Sequence, residues 1–390
     1  MTLTKMIKKT LTIRPLHPTV AEIDLTAFRH NLRWVRNRIG PRRGLLAVVK
    51  ANAYGHGIVP ISQAALSEDI QGLGVAFVEE GIQLRRAGIT KPILVMAGFL
   101  PEEAEGCLKH RLTPVVSHPE QLDSIKRLAQ KNGRPIGIHL KIDTGMGRLG
   151  LMERELGPFI ERARAIKNIE IQGLMSHFAD DELTDCRSAE DQIDCFEKVH
   201  RTIESLGLKI PRLHMSNSAA IVSLERAWFN LVRPGIVLYG YAPASSSPGS
   251  IPIKPVMTLK TRILHLKRVP AGTSISYGRT YTTRRESLIA VLPIGYADGY
   301  NRAWSNRGEV LIEGRRVPVV GRVCMDMTMV DVTDLPTVPI GAEAVLIGAQ
   351  GSETLWADAL ARKLGTIPYE ILCAVSQRVP RLYRDGVDAS

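Results

Sequence analysis

The sequence predicts an α/β protein, with a (β/α)8 TIM-like barrel followed by a mostly antiparallel β domain. Three observations predict it. Short apolar runs alternate with longer amphipathic segments from about residue 45 to residue 240. A stretch rich in Ser, Pro and Gly follows at 241–252, and after it the apolar runs are short, β-branched and separated by turn residues. At 390 residues the chain is also too long for one ordinary core.

The barrel strands are predicted at 45–50, 72–77, 92–96, 113–116, 136–142, 170–175, 211–215 and 236–240. Helices are predicted at 101–110, 118–132, 151–166 and 188–206, the second beginning with a capping box formed by Ser117 and Glu120. The β-domain strands are predicted at 256–269, 287–292, 309–313, 317–323, 328–332 and 343–347, with one helix at about 353–364 that ends at Gly365. The expected domains are an N-terminal extension at 1–18, the barrel at 19–243 and the β domain at 244–390.

The composition limits the classes of function. The formal net charge is +12, but Lys and Arg are spread along the chain and aromatic residues make up only 5%. This composition argues against nucleic-acid binding, which needs clustered cations and stacking residues. Five cysteines, odd in number and widely spaced, indicate a reducing compartment and no metal site. No signal peptide or membrane span is apparent, so we expect a cytoplasmic protein without membrane or nucleic-acid partners.

Lys50 is the most informative residue of the chain. It closes the apolar run 45–49 and opens a loop that carries Tyr54 and His56 between glycines. Partial desolvation at the end of a buried strand lowers the pKa of an amine and makes it reactive toward a carbonyl cofactor. The five preceding residues alone favour a solvent-exposed lysine that ends a strand.

Residues 48–57, Val-Val-Lys-Ala-Asn-Ala-Tyr-Gly-His-Gly, closely resemble the pyridoxal-phosphate lysine segment of alanine racemases. Four further segments resemble that family in the same order, and the resemblance runs from about Thr19 to Tyr383. They are Lys-Ile-Asp-Thr-Gly-Met-Gly-Arg-Leu-Gly at 141–150, Ser-Ile-Ser-Tyr-Gly-Arg-Thr-Tyr at 274–281, Pro-Ile-Gly-Tyr-Ala-Asp-Gly-Tyr at 293–300 and Gly-Arg-Val-Cys-Met-Asp at 321–326. The resemblance implies a pyridoxal 5'-phosphate enzyme that interconverts L- and D-alanine, in a homodimer with shared active sites. It also implies that the opening strand, at about 19–25, packs with the C-terminal domain.

The resemblance also implies roles for individual residues. Lys50 and Tyr277 would be the catalytic bases on opposite faces of Cα, with Tyr277 in the active site of the partner subunit. Arg148 and Met325 would contact the substrate, and Lys141 is the residue that is often carbamylated in the family. The cofactor would be held by Lys50, Tyr54, His177, Asn217, Ser218, Arg233, Gly235, Ile236 and Tyr369. Taken singly, His177 is equally typical of a satisfied structural histidine, and the pattern around Tyr277 favours a packing tyrosine in a Gly-rich hairpin. Ser218 could be a simple helix N-cap, which is compatible with binding phosphate as well.

Arg233 bears most directly on the reaction. Pyridoxal enzymes tune the cofactor through the partner of its ring nitrogen. An arginine is always charged and accepts no proton, so it should leave that nitrogen unprotonated and weaken the electron sink. A weak sink suits simple proton exchange at Cα.

Three alternatives stay open at this stage. A barrel-type amino-acid decarboxylase is expected to have an acidic residue near the ring nitrogen, which Arg233 argues against. A racemase of serine, lysine or another amino acid would share the same motifs, because these address the common part of the substrate. A non-catalytic pyridoxal-phosphate carrier would lack a second domain that supplies Tyr277 and Met325.

Overall fold

The computed structural model describes residues 16–132, 135–180, 183, 186–243 and 251–386. The chain divides into two compact units, which we call the barrel unit and the β unit. The barrel unit comprises Asp24–Val256 and the residues from Asp385 onward, and the β unit comprises the residues up to Ile23 and Met257–Arg384. Most of the predicted N-terminal extension and residues 244–250 of the predicted linker lie outside the described residues. No helix within the described ranges has the length and apolar character needed to cross a membrane.

After β1 (Val20–Asp24), the barrel unit is built from eight parallel strands with helices between them. The strands are β2 Gly44–Val48, β3 Gly72–Val75, β4 Ile93–Val95, β5 Thr113–Val116, β6 Ile136–Lys141, β7 Ile169–Met175, β8 Arg212–His214 and β9 Leu231–Val232. The helices are α1 Leu25–Ile39, the short turn α2 Lys50–Tyr54, α3 Ile58–Leu66, α4 Val78–Arg86, α5 Ala104–Lys109, α6 Pro119–Asn132, α7 Leu156–Arg164, α8 Cys186–Ser205 and α9 Ser218–Ser223.

The strands follow the order β8-β7-β6-β5-β4-β3-β2-β9. Backbone hydrogen bonds from Asn230 N to Leu213 O (3.4 Å) and from Arg233 N to Ser216 O (3.2 Å) join the two ends. Inside, five side chains from five strands pack together: Leu46, Leu94, Val115, Met175 and Leu231. Such a filled interior is typical of a (β/α)8 barrel, as the sequence predicted.

The predicted eighth strand, at 236–240, is wrong. Leu231–Val232 is the eighth strand, and Ile236–Tyr239 forms a 3-10 helix instead. Tyr239 is fully buried, and its hydroxyl donates to Val48 O at 3.0 Å. A short apolar run is buried equally well as a strand or as a helical turn, so its pattern could not distinguish the two.

The predicted capping box at the start of α6 is also wrong. The helix begins at Pro119, and the Gln121 side chain, rather than that of Glu120, reaches back to accept from Ser117 N at 2.8 Å. Glu and Gln can both accept from a backbone N–H through a side-chain oxygen. Because Pro119 is the first residue of the helix, Gln121 rather than Glu120 is the third.

The β unit contains most of the antiparallel structure. Its further strands are β10 Met257–Arg262, β11 His265–Val269, β12 Ser274–Ile275, β13 Tyr281–Thr282, β14 Ser287–Leu292, β15 Glu309–Ile312, β16 Arg315–Pro318, β17 Thr328–Asp331, β18 Glu343–Gln350, β19 Glu353–Leu355 and β20 Arg381–Arg384. The largest sheet has the order β16-β15-β18-β10-β1-β20, with β19 paired to β18. Within it β1 pairs antiparallel with β10, in the register Val20 to Lys260.

Two details of the β unit differ from the prediction. The predicted helix at 353–364 is divided, because residues Glu353–Leu355 form β19 and the helix α10 spans Ala357–Leu364. It ends at Gly365 in the left-handed conformation, as predicted. A second helix, α11 at Pro368–Cys373, was not predicted, because six residues are too few to establish a helical period.

Candidate active site

Lys50 lies directly after the fully buried strand β2, and its side chain is half-buried. The four residues that follow it, Ala51 to Tyr54, all have φ of 52–53°. This is the left-handed region, which costs about 1–2 kcal/mol for each non-glycine residue. A strained turn of this kind persists only where the surrounding structure holds it, and it is a frequent feature of functional sites.

Side chains from neighbouring loops hold this turn. Glu80 accepts from Ala51 N at 2.6 Å and from Ala76 N at 2.7 Å, so one carboxylate joins the loops after β2 and β3. The Asn52 side chain accepts from Ile58 N at 2.8 Å, at the start of α3. These bonds fix the position of Lys50 relative to the barrel.

Tyr54 faces the segment after β9. A Cβ added to Gly235 would lie 2.5 Å from Tyr54 Oη, so only glycine admits the tyrosine hydroxyl there. The Ser218 hydroxyl accepts from Gly235 N at 2.9 Å and from Val237 N at 3.3 Å. The hydroxyl groups of Tyr54 and Ser218 therefore lie together at the turn that begins at Ile236, and hydroxyl donors of this kind suit a phosphate dianion.

Asn217 occupies the N-cap position of α9. Its side chain accepts from Ala220 N at 2.9 Å, so the predicted cofactor residue is also a helix cap. Ser218 is the first residue of that helix and is 4% exposed. The N-terminus of α9 and the Gly235 turn thus converge through Ser218.

Arg233 is 4% exposed and is held by hydrogen bonds to four neighbours. Nη1 donates to His214 Nδ1 at 2.8 Å, and Nη2 donates to Ser176 O at 2.7 Å and to Met215 O at 3.0 Å. Nη2 also lies 3.3 Å from His177 Nδ1. Burial lowers the pKa of Arg233 to about 9, which leaves the guanidinium protonated at neutral pH.

The contact with Arg233 fixes the state of two further histidines. Arg233 can only donate, so His214 Nδ1 accepts and its Nε2 carries the proton. His214 Nε2 lies 2.8 Å from His139 Nδ1, which accepts in turn. Burial and then nearby arginines lower the pKa of His139 to about 3 and that of His214 well below its usual value. Both imidazoles are therefore neutral, and a Cβ on Gly173 would lie 2.4 Å from the His139 ring.

His177 is likewise neutral. Burial, followed by the charges of Arg233, Lys141 and Lys50, lowers its pKa well below its usual value. Its Nδ1 faces the Arg233 guanidinium, so the proton resides on Nε2. The structure thus brings the predicted residues Lys50, Lys141, His177 and Arg233 into one electrostatic neighbourhood.

Lys141 ends β6 and is 5% exposed. Burial and then the charges of Arg233 and Arg148 lower its pKa to about 8. Arg148 itself is exposed, in the loop whose backbone is turned by Asp143, which accepts from Gly145 N at 2.9 Å. A site with this many cations is suited to an anionic cofactor and an anionic substrate.

Three predicted residues, Tyr277, Met325 and Tyr369, belong to the β unit. Tyr277 is 75% exposed and starts a 3-10 turn. The preceding Ser276, at φ 67°, donates from its hydroxyl to Arg322 O at 2.7 Å, which anchors the turn. Tyr369 is half-buried on α11.

Met325 is 53% exposed and lies beside the segment 293–300. Tyr296 N donates to Cys324 O and Ala297 N donates to Met325 O, both at 3.0 Å. A Cβ on Gly295 would lie 2.2 Å from Cys324 O, so this close approach requires glycine. Two of the segments singled out in the sequence are therefore packed against each other in the β unit.

The sequence did not point to His139 and His214. His214 accepts from Arg233, and His139 contacts His214. His139 lies among apolar residues in β6, before Lys141, and His214 follows Leu213 at the end of β8. That pattern is the signal that could have identified them, because a buried imidazole needs a partner. Tyr239 is fully buried, and its ring centroid lies 4.6 Å from that of Tyr54.

Two protein-family models match consecutive parts of the chain. The family model for the N-terminal domain of alanine racemases matches residues 23–243, and the model for the C-terminal domain matches residues 256–383. The chain is 46% identical over 374 residues to the alanine racemase of Halothermothrix orenii, covering 96% of this chain and 99% of that protein. 

Solved structures are similar over the same length. The alanine racemase from Bacillus anthracis with bound L-Ala-P has a TM-score of 0.90 at 36% identity, covering 95% of this chain and 96% of that one. The enzyme from Bartonella henselae, with covalently bound pyridoxal phosphate, has a TM-score of 0.85 at 32% identity, covering 94% and 99%. The chain belongs to the alanine racemase family.

Proposed function

We propose that this chain interconverts L-alanine and D-alanine with pyridoxal 5'-phosphate bound at the barrel, and that it supplies D-alanine for peptidoglycan. When bound, the cofactor withdraws electrons from Cα of the amino acid and so makes its proton removable. The residues of the chain bind this cofactor, orient the substrate and move the proton.

The observation that carries the proposal is the bonding of Arg233. Its four hydrogen bonds all use Nη1 and Nη2, and within the described residues its Nε–H makes none. We assign this donor to the ring nitrogen of the cofactor. Because arginine cannot accept a proton, it keeps that nitrogen unprotonated, which limits side reactions and favours return of the proton to Cα.

The remaining cofactor contacts follow from the same face of the barrel. The cofactor would be held through the Lys50 amine, and His177 would contact it as a neutral imidazole. Its phosphate would be held by the Tyr54 and Ser218 hydroxyls, the backbone of Gly235 and Ile236 and the helix start at Asn217, with Tyr369 assigned to it by the family resemblance alone. The close approach of Tyr54 to Gly235, which a Cβ would block, supports this assignment.

Two bases then act on opposite faces of Cα. Lys50 would move the proton of D-alanine at Cα, and Tyr277 of the partner subunit would move that of L-alanine. Arg148 and the backbone of Met325 hold the substrate carboxylate. The high exposure of Tyr277 and Met325 in the isolated chain, 75% and 53%, supports a homodimer in which each subunit completes the site of the other. We place this dimer in the cytoplasm, where the thiols of Cys107, Cys195, Cys324 and Cys373 stay reduced.

Lys141 is proposed to react with carbon dioxide. With a pKa of about 8, roughly a tenth of its amines are neutral at pH 7 and able to attack carbon dioxide. The nitrogen forms a bond to the carbon and loses a proton, which gives a carbamate that is negative beside Arg148. With 13C-bicarbonate, a carbamate resonance is expected in the wild type and not in Lys141→Ala.

The test of the activity is incubation of the pyridoxal-phosphate-loaded protein with each L-amino acid in heavy water, followed by chiral analysis. α-Deuterated D-alanine is the expected product, and Lys50→Ala should form none. Faster turnover of serine, lysine or another amino acid would replace the proposed substrate. Release of carbon dioxide would indicate a decarboxylase, and an unchanged amino acid would indicate a carrier.

A further inference from the structure

Gln192 is a buried polar residue on α8, outside the barrel strands, that none of the roles above uses. It is 4% exposed, and a buried amide is stable only when its donors and acceptor are paired. Nε2 donates to Thr144 Oγ1 at 3.1 Å and to His177 O at 3.2 Å, and the Gln192 carbonyl accepts from Ala179 N at 2.9 Å. The orientation of the amide is therefore determined, because His177 O can only accept and Ala179 N can only donate.

The contact with Thr144 continues as a chain of hydroxyl groups with one direction. The Ser176 hydroxyl donates to Ile142 O at 2.9 Å, which uses its only proton. At the 2.7 Å contact between the two hydroxyls, Thr144 therefore donates to Ser176. The order is Gln192 to Thr144 to Ser176 to the carbonyl of Ile142.

This chain connects the two loops that carry the proposed substrate and cofactor residues. Thr144 lies four residues before Arg148, and Ser176 immediately precedes His177. The Ser176 carbonyl also accepts from Arg233 Nη2 at 2.7 Å. The single amide of Gln192 thus touches both loops, and through Ser176 it is joined to Arg233.

We propose that Gln192 is a positioning residue that fixes the Arg148 loop and the His177 loop relative to each other, so that the substrate carboxylate and the cofactor ring are held in one geometry. The inference rests on the roles proposed above for Arg148 and His177. Gln192 does not touch a reacting atom itself.

The test compares Gln192→Met with Val199→Ala in the pyridoxal-phosphate-loaded enzyme. Methionine keeps the length of the side chain and removes the amide. Val199 is fully buried on the same helix and serves as a control for general loss of stability. Hydrogen exchange is measured by mass spectrometry at 142–150 and 176–180. In Gln192→Met, exchange in both segments should rise about tenfold or more, because each loses a hydrogen bond to the helix. In Val199→Ala it should stay near the wild type.

Kinetics and a conservative pair supply a second measurement. Gln192→Met should raise KM for alanine more than it lowers kcat, because one of the two released loops binds the substrate carboxylate. Thr144→Ser keeps the hydroxyl chain and should behave as the wild type, whereas Thr144→Val should reproduce the rise in KM. Adding Gln192→Met to Thr144→Val should raise KM little further.

Exchange in Gln192→Met no greater than in Val199→Ala would overturn the inference. Equal effects of Thr144→Ser and Thr144→Val would overturn it as well. If Arg148→Ala and His177→Ala keep full activity, the proposed roles fail and the inference fails with them. If those two variants are impaired while Gln192→Met is not, the inference alone is wrong.

Discussion

In the barrel unit Arg233 and His214 are 4% and 0% exposed, whereas in the β unit Tyr277 and Met325 are 75% and 53% exposed. The barrel residues are tied by bonds such as the 2.8 Å contact between Arg233 Nη1 and His214 Nδ1. The exposed side chains of the β unit are placed by their backbone instead, as with the 3.0 Å bond from Ala297 N to Met325 O.

The difference follows from what burial demands. A cation taken out of water is costly unless its donors are paired, so the barrel unit pairs Nη1 and Nη2 of Arg233 within its own strands and loops. An exposed tyrosine or methionine needs no such support. The groups that hold Arg233 are thus supplied by the barrel unit alone, whereas we propose that Tyr277 and Met325 act in the site of a partner subunit.

The largest expected effect is that of Lys50→Ala. Loss of the amine removes both the cofactor attachment and one base, so we expect racemisation to fall by at least about 10⁴-fold. The visible absorption band of the bound cofactor should also disappear. Lys91→Ala is the matched control, because Lys91 is a barrel lysine that donates to Ile70 O at 3.1 Å, away from this site. An intact band in Lys50→Ala would contradict the assignment.

Tyr277→Phe tests the β unit. Racemisation should fall about 10²–10⁴-fold, the usual contribution of a general base, while the cofactor band is retained. Exchange of the α-hydrogen of D-alanine with solvent should persist, because Lys50 is intact. The control is Tyr281→Phe, which should stay near wild-type activity. The Tyr281 hydroxyl lies 3.5 Å from Asp331 Oδ2. Full activity in Tyr277→Phe would remove this residue from the mechanism.

Arg233→Glu tests the electrostatic design of the barrel site. Placing an acceptor at the ring nitrogen should lower racemisation by about 10-fold or more and raise the ratio of transamination to racemisation. Arg233→Lys keeps the positive charge, so its ratio should stay low even if its rate falls. Product analysis by chiral chromatography measures both, and an unchanged ratio in Arg233→Glu would count against our account of Arg233.

The smallest effect concerns stability and pH. The folded-state pKa of His139 is about 3, below its unfolded value, so the unfolded chain takes up the proton first as the pH falls. Its contribution is fully present above about pH 6.5 and is lost between that pH and about 3. When the pH falls from 7 to 5, the free energy of unfolding should therefore fall by about 2 kcal/mol less in His139→Gln than in the wild type.

The measurement for His139→Gln is the thermal unfolding midpoint at the two pH values. His118→Gln, at an exposed position before α6, is the control and should follow the wild type. An identical pH dependence in His139→Gln would mean that the imidazole is not buried in its neutral form.

Most strands could be predicted, because a parallel strand covered on both faces leaves a continuous apolar run, as at Leu45–Val48. The segment Ile236–Tyr239 is also a run of buried, largely apolar residues, but it is helical, since burial alone does not select a backbone conformation. The position of Lys50 after a strand was also predictable. The left-handed turn behind it was not, because Ala51 and Ala53 have no residue-type signal for positive φ.

The alternation of strands and helices, the residue types at the strand ends and the membership of the family can all be recognised in the amino-acid sequence. The three-dimensional packing selects the groups that hold the site residues. His214 accepts from Arg233 and contacts His139, and Glu80 accepts from Ala51 N in the turn after Lys50. Arg233 and His139 are 94 residues apart in the sequence, so no local pattern predicts that His214 joins them. Closure of the barrel creates the contact, and burial then makes each hydrogen bond necessary.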